Sequence, residues 1–158
     1  MNTKDIEKDI YSTFADIATA IGYSEIHGRV IGALLVSNGR LSLNELAKKT
    51  GYSLSTVSLS LDLLEFLGMI KKTKEAGDRK LYIELQGSLI EGLKKAFSIR
   101  IQKSIKDTLS KFEQHKKYLE GADSKEKKNI LNILSILEKE VKSVDNYLNM
   151  LLELQLSD

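Results

Sequence analysis

Five cationic side chains fall within ten residues of one another in a short polar stretch: Lys71, Lys72, Lys74, Arg79 and Lys80. Cations at this density can bind phosphate oxygens, and on a projecting loop they can reach a narrow minor groove, where the potential of a duplex is most negative. Lysines on strand edges can also serve only to prevent aggregation. That alternative explains Lys71 and Lys72 well, and Arg79 beside Asp78 less well, because a neighbouring carboxylate can fix the direction of an arginine.

Small hydroxyl side chains and one leucine lie around the start of a segment with helical apolar spacing. This group comprises Ser53, Ser55, Thr56, Ser58, Leu59 and Ser60. Hydroxyls at a helix start can bond phosphates or base edges, and a leucine can contact thymine methyl groups. The alternative is that Ser55 and Thr56 only help the helix to begin. The face carries no Arg, Lys, Asn or Gln, so we expect modest base discrimination, or discrimination through duplex shape and the cationic loop.

The elements that must position these two groups can be identified from spacing. Ser42 and Glu45 form a capping box that begins a short helix, and the turn at 51–53 leads into a helix over 54–67. The expected buried stripe of this second helix is Leu54, Val57, Leu61 and Leu64. Two short helices joined by a glycine-containing turn are typical of a helix-turn-helix.

After Gly68 the apolar period changes from helical to alternating, at 69–72 and again at 80–85, with a charged loop between. This pattern predicts a β-hairpin. A helix-turn-helix followed directly by a hairpin is a winged helix, so the expected fold is mainly α with a small β wing.

Apolar faces wider than one neighbour can cover flank this part of the chain. A helix over 3–21 carries Ile6, Ile10, Phe14, Ile17 and Ile21, and a second follows at about 25–37. Two long helices, about 88–119 and 124–156, break at Gly121, and the last carries a heptad seam. We therefore expect a dimerisation helix at 1–23, a DNA-binding domain at 24–87 and a helical dimerisation region at 88–158.

Composition excludes several classes of protein. The 158 residues include no cysteine and no proline, and the formal net charge is only +2. No nucleophile, phosphate-binding loop or metal motif is present, and His27 and His115 stand without a partner at ligand spacing. We expect no enzyme, no cofactor and no metal site. No apolar run reaches the length of a membrane span and no secretory signal is visible, so we expect a cytoplasmic protein without membrane contact.

Motifs within 42–86 resemble the winged helix of MarR-type transcriptional regulators. They are Leu46-Ala47, Thr50-Gly51, Ser55-Thr56-Val57-Ser58, Leu64-Glu65 and Gly68-Met69-Ile70. The run Gly77-Asp78-Arg79-Lys80, followed by Tyr82, looks most like the GbsR-like branch. The resemblance implies a homodimer with interleaved first and last helices, the 54–67 helix in the major groove and the wing arginine in the minor groove. The chain departs from the common Asp-x-Arg wing, since Lys80 takes the last place. Whether Arg79 or Lys80 enters the groove stays open, because lysine lacks the planar fork of arginine.

The resulting hypothesis is a homodimeric repressor that binds a pseudo-palindromic operator in double-stranded DNA. The resemblance also implies a small effector, for instance a quaternary ammonium osmolyte, which requires an aromatic cage. The nearest aromatic cluster is Tyr11, Phe14 and Tyr23, which we interpret as core and interface, so we predict no specific ligand. The alternative function is a winged-helix module for protein contacts in a transcription-related complex, which would not require five cations in the hairpin.

Overall fold

A computed structural model describes residues 2–121 and 123–154. Its elements are α1 (Thr3–Ala20), α2 (Glu25–Leu35), β1 (Arg40–Ser42), α3 (Leu43–Thr50), α4 (Leu54–Phe66), β2 (Ile70–Lys74), β3 (Leu81–Leu85), α5 (Leu89–Leu119) and α6 (Lys125–Glu153). The chain divides into two units between residues 96 and 97, within α5. The last predicted turn of the final helix, 155–156, lies outside the described residues.

The first unit contains a three-stranded antiparallel sheet in the order β1-β3-β2. β2 and β3 form the predicted hairpin, with Lys72 opposite Ile83 in the register. We call this hairpin and its connection, residues 70–85, the wing. Sequence reasoning missed β1, which pairs with β3 so that Arg40 lies opposite Glu84. The described architecture confirms the predicted fold class.

The helix-turn-helix forms as its local signals predict. Ser42 Oγ accepts a hydrogen bond from the amide of Glu45 at 3.3 Å, and the Glu45 carboxylate accepts from the amide of Ser42 at 2.9 Å. Gly51 ends α3 in a left-handed conformation with φ of 78°, which glycine adopts without steric cost. Fully buried side chains from α2, α3, α4 and the sheet form the core beneath these helices: Val30, Leu34, Leu46, Val57, Leu61, Ile70 and Ile83.

α1 packs on α2 through a face of small residues and one tyrosine, namely Tyr11, Ala15 and Ala18. The backbones come so close that a Cβ at Gly28 would lie 2.0 Å from the carbonyl oxygen of Phe14. Because these small residues and Tyr11 form the buried face, the apolar stripe predicted for α1 lies beside that face. Two members of the stripe, Ile6 and Ile17, are exposed. α1 consequently offers apolar surface that the first unit does not cover.

The second unit consists of the C-terminal part of α5 and all of α6. A hydrogen bond from Gln102 to Asn149 and an ion pair between Lys116 and Glu138 join the two helices. Two lysines, Lys116 first and Lys142 second, lower the pKa of Glu138 to about 2 by hydrogen bonding to its carboxylate. Leu134 and Leu148 of the predicted heptad seam are buried, and most of the apolar face of α6 is exposed. We call this surface the α6 apolar face: Ile130, Ile133, Ile136, Leu137, Val144, Tyr147, Met150 and Leu151.

Candidate nucleic-acid interface

The N-terminus of α4 is held by a cluster of hydroxyl groups. Ser53 caps the helix, since its Oγ accepts from the amide of Thr56 at 3.2 Å. The same oxygen lies 2.7 Å from Thr56 Oγ1 and 3.1 Å from Ser55 Oγ. These residues therefore do help α4 to begin, as the alternative interpretation of Ser55 and Thr56 expected. This role leaves the Ser55 and Thr56 side chains exposed, with hydroxyls on the surface where the helix dipole favours an anion.

One turn further along, the outward face of α4 becomes apolar. Ser58 is exposed, and Leu59 beside it is 76% exposed. A single exposed leucine is ordinary on a folded protein, so its accessibility makes Leu59 available for contact with another molecule without requiring one. Ser55, Thr56, Ser58 and Leu59 thus share one accessible surface, as the sequence predicts.

Two expectations for α4 are corrected. Ser60 is buried, and its hydroxyl donates to the carbonyl oxygen of Val57 at 2.7 Å. It faces the core between Val57 and Leu64, so it cannot contact DNA without displacing the helix. Leu54, expected in the buried stripe, is 47% exposed, because it is the first helical residue and precedes the turn that enters the core.

Lys72 lies against α4 and away from the tip of the wing. Its Nζ is 2.6 Å from an oxygen of Asp62 and 3.1 Å from one of Glu65. The hydrogen bond to Asp62 is the largest cause of the raised pKa of Lys72. These two acids are the only charged residues of α4, so Lys72 reduces the negative charge of the helix that the sequence predicts to meet DNA. Lys71 is likewise paired, with Glu84 at 3.0 Å.

Three cations remain at the tip of the wing. Lys74, Arg79 and Lys80 are all exposed, and in the described part of the chain none of them makes an ion pair. The sequence suggested that Asp78 fixes the direction of the Arg79 guanidinium. In the described residues the two side chains form no ion pair. The Asp78 carboxylate instead accepts from the backbone amide of Lys80 and from the Tyr82 hydroxyl, both at 2.9 Å. These bonds, that from Lys80 first, lower the pKa of Asp78.

Arg40 is the residue of this region that sequence reasoning missed. Its guanidinium forms ion pairs with Glu75 at the start of the wing tip and with Glu84, the latter at 3.0 Å. It also lies over the Tyr82 ring, 4.2 Å from the ring centroid. The only sequence signal was an arginine next to a capping box, and nothing there showed that a third strand would carry it to the wing.

An apolar cavity lies within the first unit, behind α4. Its walls include Phe14 of α1, His27 of α2, Leu63 of α4 and Leu93 of α5. Burial lowers the pKa of His27, so its neutral form is favoured. Of the three aromatic residues considered as a cage, Phe14 and Tyr23 line the cavity, and the Tyr23 hydroxyl donates to the carbonyl of Ala96 at 2.7 Å. Tyr11 does not belong to the lining.

Two other kinds of site do not occur among the residues that the structure describes. No three of their His, Asp and Glu side chains are grouped so as to hold a metal ion. None of their helices combines the length and the apolar character needed to cross a membrane.

A helix-turn-helix followed by a β-hairpin defines the chain as a winged-helix protein. Its second helix exposes its N-terminal half and its hairpin has a cationic tip, which are features that many DNA-binding winged helices share. The family model of the MarR family matches residues 13–81, from α1 to the beginning of β3. The winged-helix part of the chain is thus similar to the MarR family, and the resemblance seen in its motifs is confirmed. The GbsR-like branch stays a prediction.

Among similar solved structures, one with a TM-score above 0.5 supports the fold. A crystal structure described as a transcriptional regulator matches with a TM-score of 0.62 at 20% identity, over 93% of this chain and 95% of that one. A MepR-like protein complexed with pseudoligands matches with a TM-score of 0.42 at 20% identity, over 87% and 89% of the two chains. A mutant S. aureus MepR bound to an oligodeoxyribonucleotide gives 0.43 at 22% identity, over 89% and 93%. No protein of curated function matches this sequence.

Proposed function

We propose that the protein is a DNA-binding transcriptional regulator without catalytic activity. The observation that carries the proposal is the set of three cations without ion pairs at the wing tip, Lys74, Arg79 and Lys80, among the residues described. They belong to the same unit as the exposed hydroxyls of α4. The similarity of the winged helix to the MarR family supports the same function.

The two parts of this surface suit different parts of a duplex. The wing cations match phosphates and the minor groove, where binding is strong and independent of sequence. We expect Arg79 to enter the groove, because a guanidinium is more weakly hydrated than an ammonium and presents a planar set of donors. The start of α4, with Ser53, Ser55 and Thr56, suits phosphates and base edges of the major groove, and Ser58 and Leu59 suit the base edges alone.

The regulator acts as a homodimer in this proposal. The α6 apolar face exposes eight large apolar side chains along one helix, and Ile6 and Ile17 of α1 are exposed as well. Contiguous apolar surface of this kind often marks a protein–protein contact. A second copy of the chain is the partner that accounts for it, because the surface lies on the regions predicted to be dimerisation helices, 1–23 and 88–158. A two-fold dimer would place two α4 helices at half-sites about one helical turn apart, or a multiple of it.

The oligomeric state is measured by size-exclusion chromatography with light scattering. Wild type is expected as a dimer at micromolar concentration. Placing a charge in the α6 apolar face, as in Leu137→Glu, should give a folded monomer. The matched change Lys139→Glu, outside that face, should leave the dimer intact. A monomeric wild type would contradict the dimer.

Repression follows in this account from occlusion, since a bound dimer would cover promoter DNA. The apolar cavity behind α4 offers a place for an effector, because a molecule there would touch Leu63 and could shift the helix. Its walls suit an apolar molecule better than a quaternary ammonium ion, because only Phe14 and Tyr23 of the expected cage line it.

The function is tested by a mobility shift with the duplex that flanks the protein's own gene, at two salt concentrations. Binding is expected at low salt and should weaken steeply at higher salt, since phosphate contacts release counterions. A random duplex of equal length serves as competitor and reports specificity. Absence of binding to either duplex would contradict the proposal. It would favour the protein-interaction module, for which exposed Leu59 would be the contact.

A further inference from the structure

The tip of the wing, residues 74–80, is tied to the body of the unit by an arginine outside the hairpin, Arg40. Arg40 begins β1 and lies opposite Glu84 of β3. From there its guanidinium contacts Glu84 at 3.0 Å and reaches Glu75, the first residue after β2. A short edge strand thus holds the near side of the tip.

The far side of the tip is held through the aromatic residue that Arg40 covers. Arg40 lies 4.2 Å from the centroid of Tyr82, and the Tyr82 hydroxyl donates to Asp78 at 2.9 Å. Asp78 in turn accepts from the backbone amide of Lys80 at 2.9 Å. A continuous set of contacts therefore runs from β1 to the backbone between Arg79 and Lys80.

We propose that Arg40, with Tyr82 and Asp78, is a positioning group that fixes the wing tip so that Arg79 and Lys80 meet DNA in one conformation. This inference rests on the proposed function. Without the group, the tip is an exposed connection between two strands that includes Gly77 at φ of 83°. Ordering such a loop only on binding lowers affinity, and holding it beforehand avoids that cost.

The surroundings of Arg40 argue against a direct phosphate contact. Its charge lies between the carboxylates of Glu75 and Glu84, and its flat face lies on Tyr82. Arg79 and Lys80 make no such pairs within the residues the structure covers. Arg40 therefore acts through the tip, and removing it changes where the other two cations point.

A double-mutant cycle separates the two roles, because groups that act through one another are not additive. Arg40→Gln alone should weaken duplex binding about tenfold. In the background of Arg79→Ala/Lys80→Ala it should weaken binding no further. Arg40→Lys, which keeps the charge without the fork, should restore part of the affinity. The matched control is Arg29→Gln, which breaks a pair with Glu25 on α2 and should bind as wild type does.

Order at the tip is measured without DNA, from the heteronuclear ¹⁵N NOE of the Arg79 and Lys80 amides. The NOE should fall to loop values in Arg40→Gln while amides of α3 and α4 keep theirs, which shows that the unit stays folded. An additive effect in the cycle, or an unchanged NOE, would overturn the positioning role. If the tip loosens as expected but wild type binds no duplex, the proposed function fails and the contacts around Arg40 order the wing for another purpose.

Discussion

α4 and the wing tip lie in one unit and differ in every property that governs contact with DNA. α4 presents hydroxyls and Leu59, and its only charges are the acids Asp62 and Glu65. The wing tip presents Lys74, Arg79 and Lys80 without ion pairs in the described residues. In the proposed function this difference divides affinity from discrimination: we expect the wing to attract any duplex and α4 to add a weak preference among sequences.

The largest effect is expected from the wing. Arg79→Ala/Lys80→Ala should weaken binding to every duplex by about a hundredfold at low salt. The dependence of log K on log salt should become shallower by about 0.9 for each phosphate that the variant no longer neutralises. Fluorescence anisotropy across a salt series measures both quantities. Lys127→Ala/Lys128→Ala, which removes the same charge from the start of α6, is the control. An equal weakening in the two variants would show that only net charge matters.

A smaller and selective effect is expected at Leu59. If it packs on thymine methyl groups, replacing thymine by deoxyuracil in the preferred duplex should weaken wild-type binding by about fourfold for each methyl that Leu59 covers, since a buried methylene contributes about 0.8 kcal/mol. Leu59→Ala should bind both duplexes equally. Ser58→Ala, on the same face, should keep the preference for thymine. A leucine variant that still distinguishes the two duplexes would remove this contact from the account.

Smaller still is the effect of the acids on α4. Asp62→Asn/Glu65→Gln should strengthen binding about threefold at low salt, because two screened charges near phosphates repel weakly. We propose that Lys72 acts by neutralising Asp62 and Glu65, with which it pairs. Lys72→Met should then weaken binding by a similar factor with an unchanged salt slope. Fluorescence anisotropy across a salt series measures the affinity and the salt slope of both variants. A shallower slope in the lysine variant would mean that Lys72 touches DNA directly.

The smallest effect is one of pH. The pKa of Asp78 is lowered in the folded wing, so its bonds contribute order above the ordinary aspartate value of 3.8 and that order disappears as pH falls through the folded pKa below it. Acid should therefore lower the amide protection factors at 75–80, which are corrected for the intrinsic pH dependence of exchange, before it lowers those at 54–66. Asp78→Asn should abolish the pH dependence of protection at the tip. Simultaneous loosening of 75–80 and 54–66 in wild type would argue against a role for Asp78.

Local signals account for most of what the sequence could predict. The capping box at Ser42, the glycine end of α3 and the alternating strands are encoded within a few residues of where they act. Leu59 was identified as exposed because helical spacing alone places it opposite Val57 and Leu61.

Features that depend on distant residues could not be predicted. β1 is three residues long, and it pairs with a strand that lies far along the chain, after two helices and another strand. Ser60 is buried because its side of α4 packs on the core, where a carbonyl of its own helix accepts from its hydroxyl. The pairing of Lys72 with Asp62 and Glu65 requires the hairpin to fold against α4, which the charge pattern along the sequence does not reveal.

In the proposed function, one duplex contacts the exposed start of α4 and the wing tip together. Hydrogen exchange followed by mass spectrometry, with and without the flanking duplex, tests it most directly. Adding DNA should slow amide hydrogen exchange at 53–59 and at 74–80, with α3 less affected. Protection of neither segment, or protection confined to residues 97–154, would contradict it.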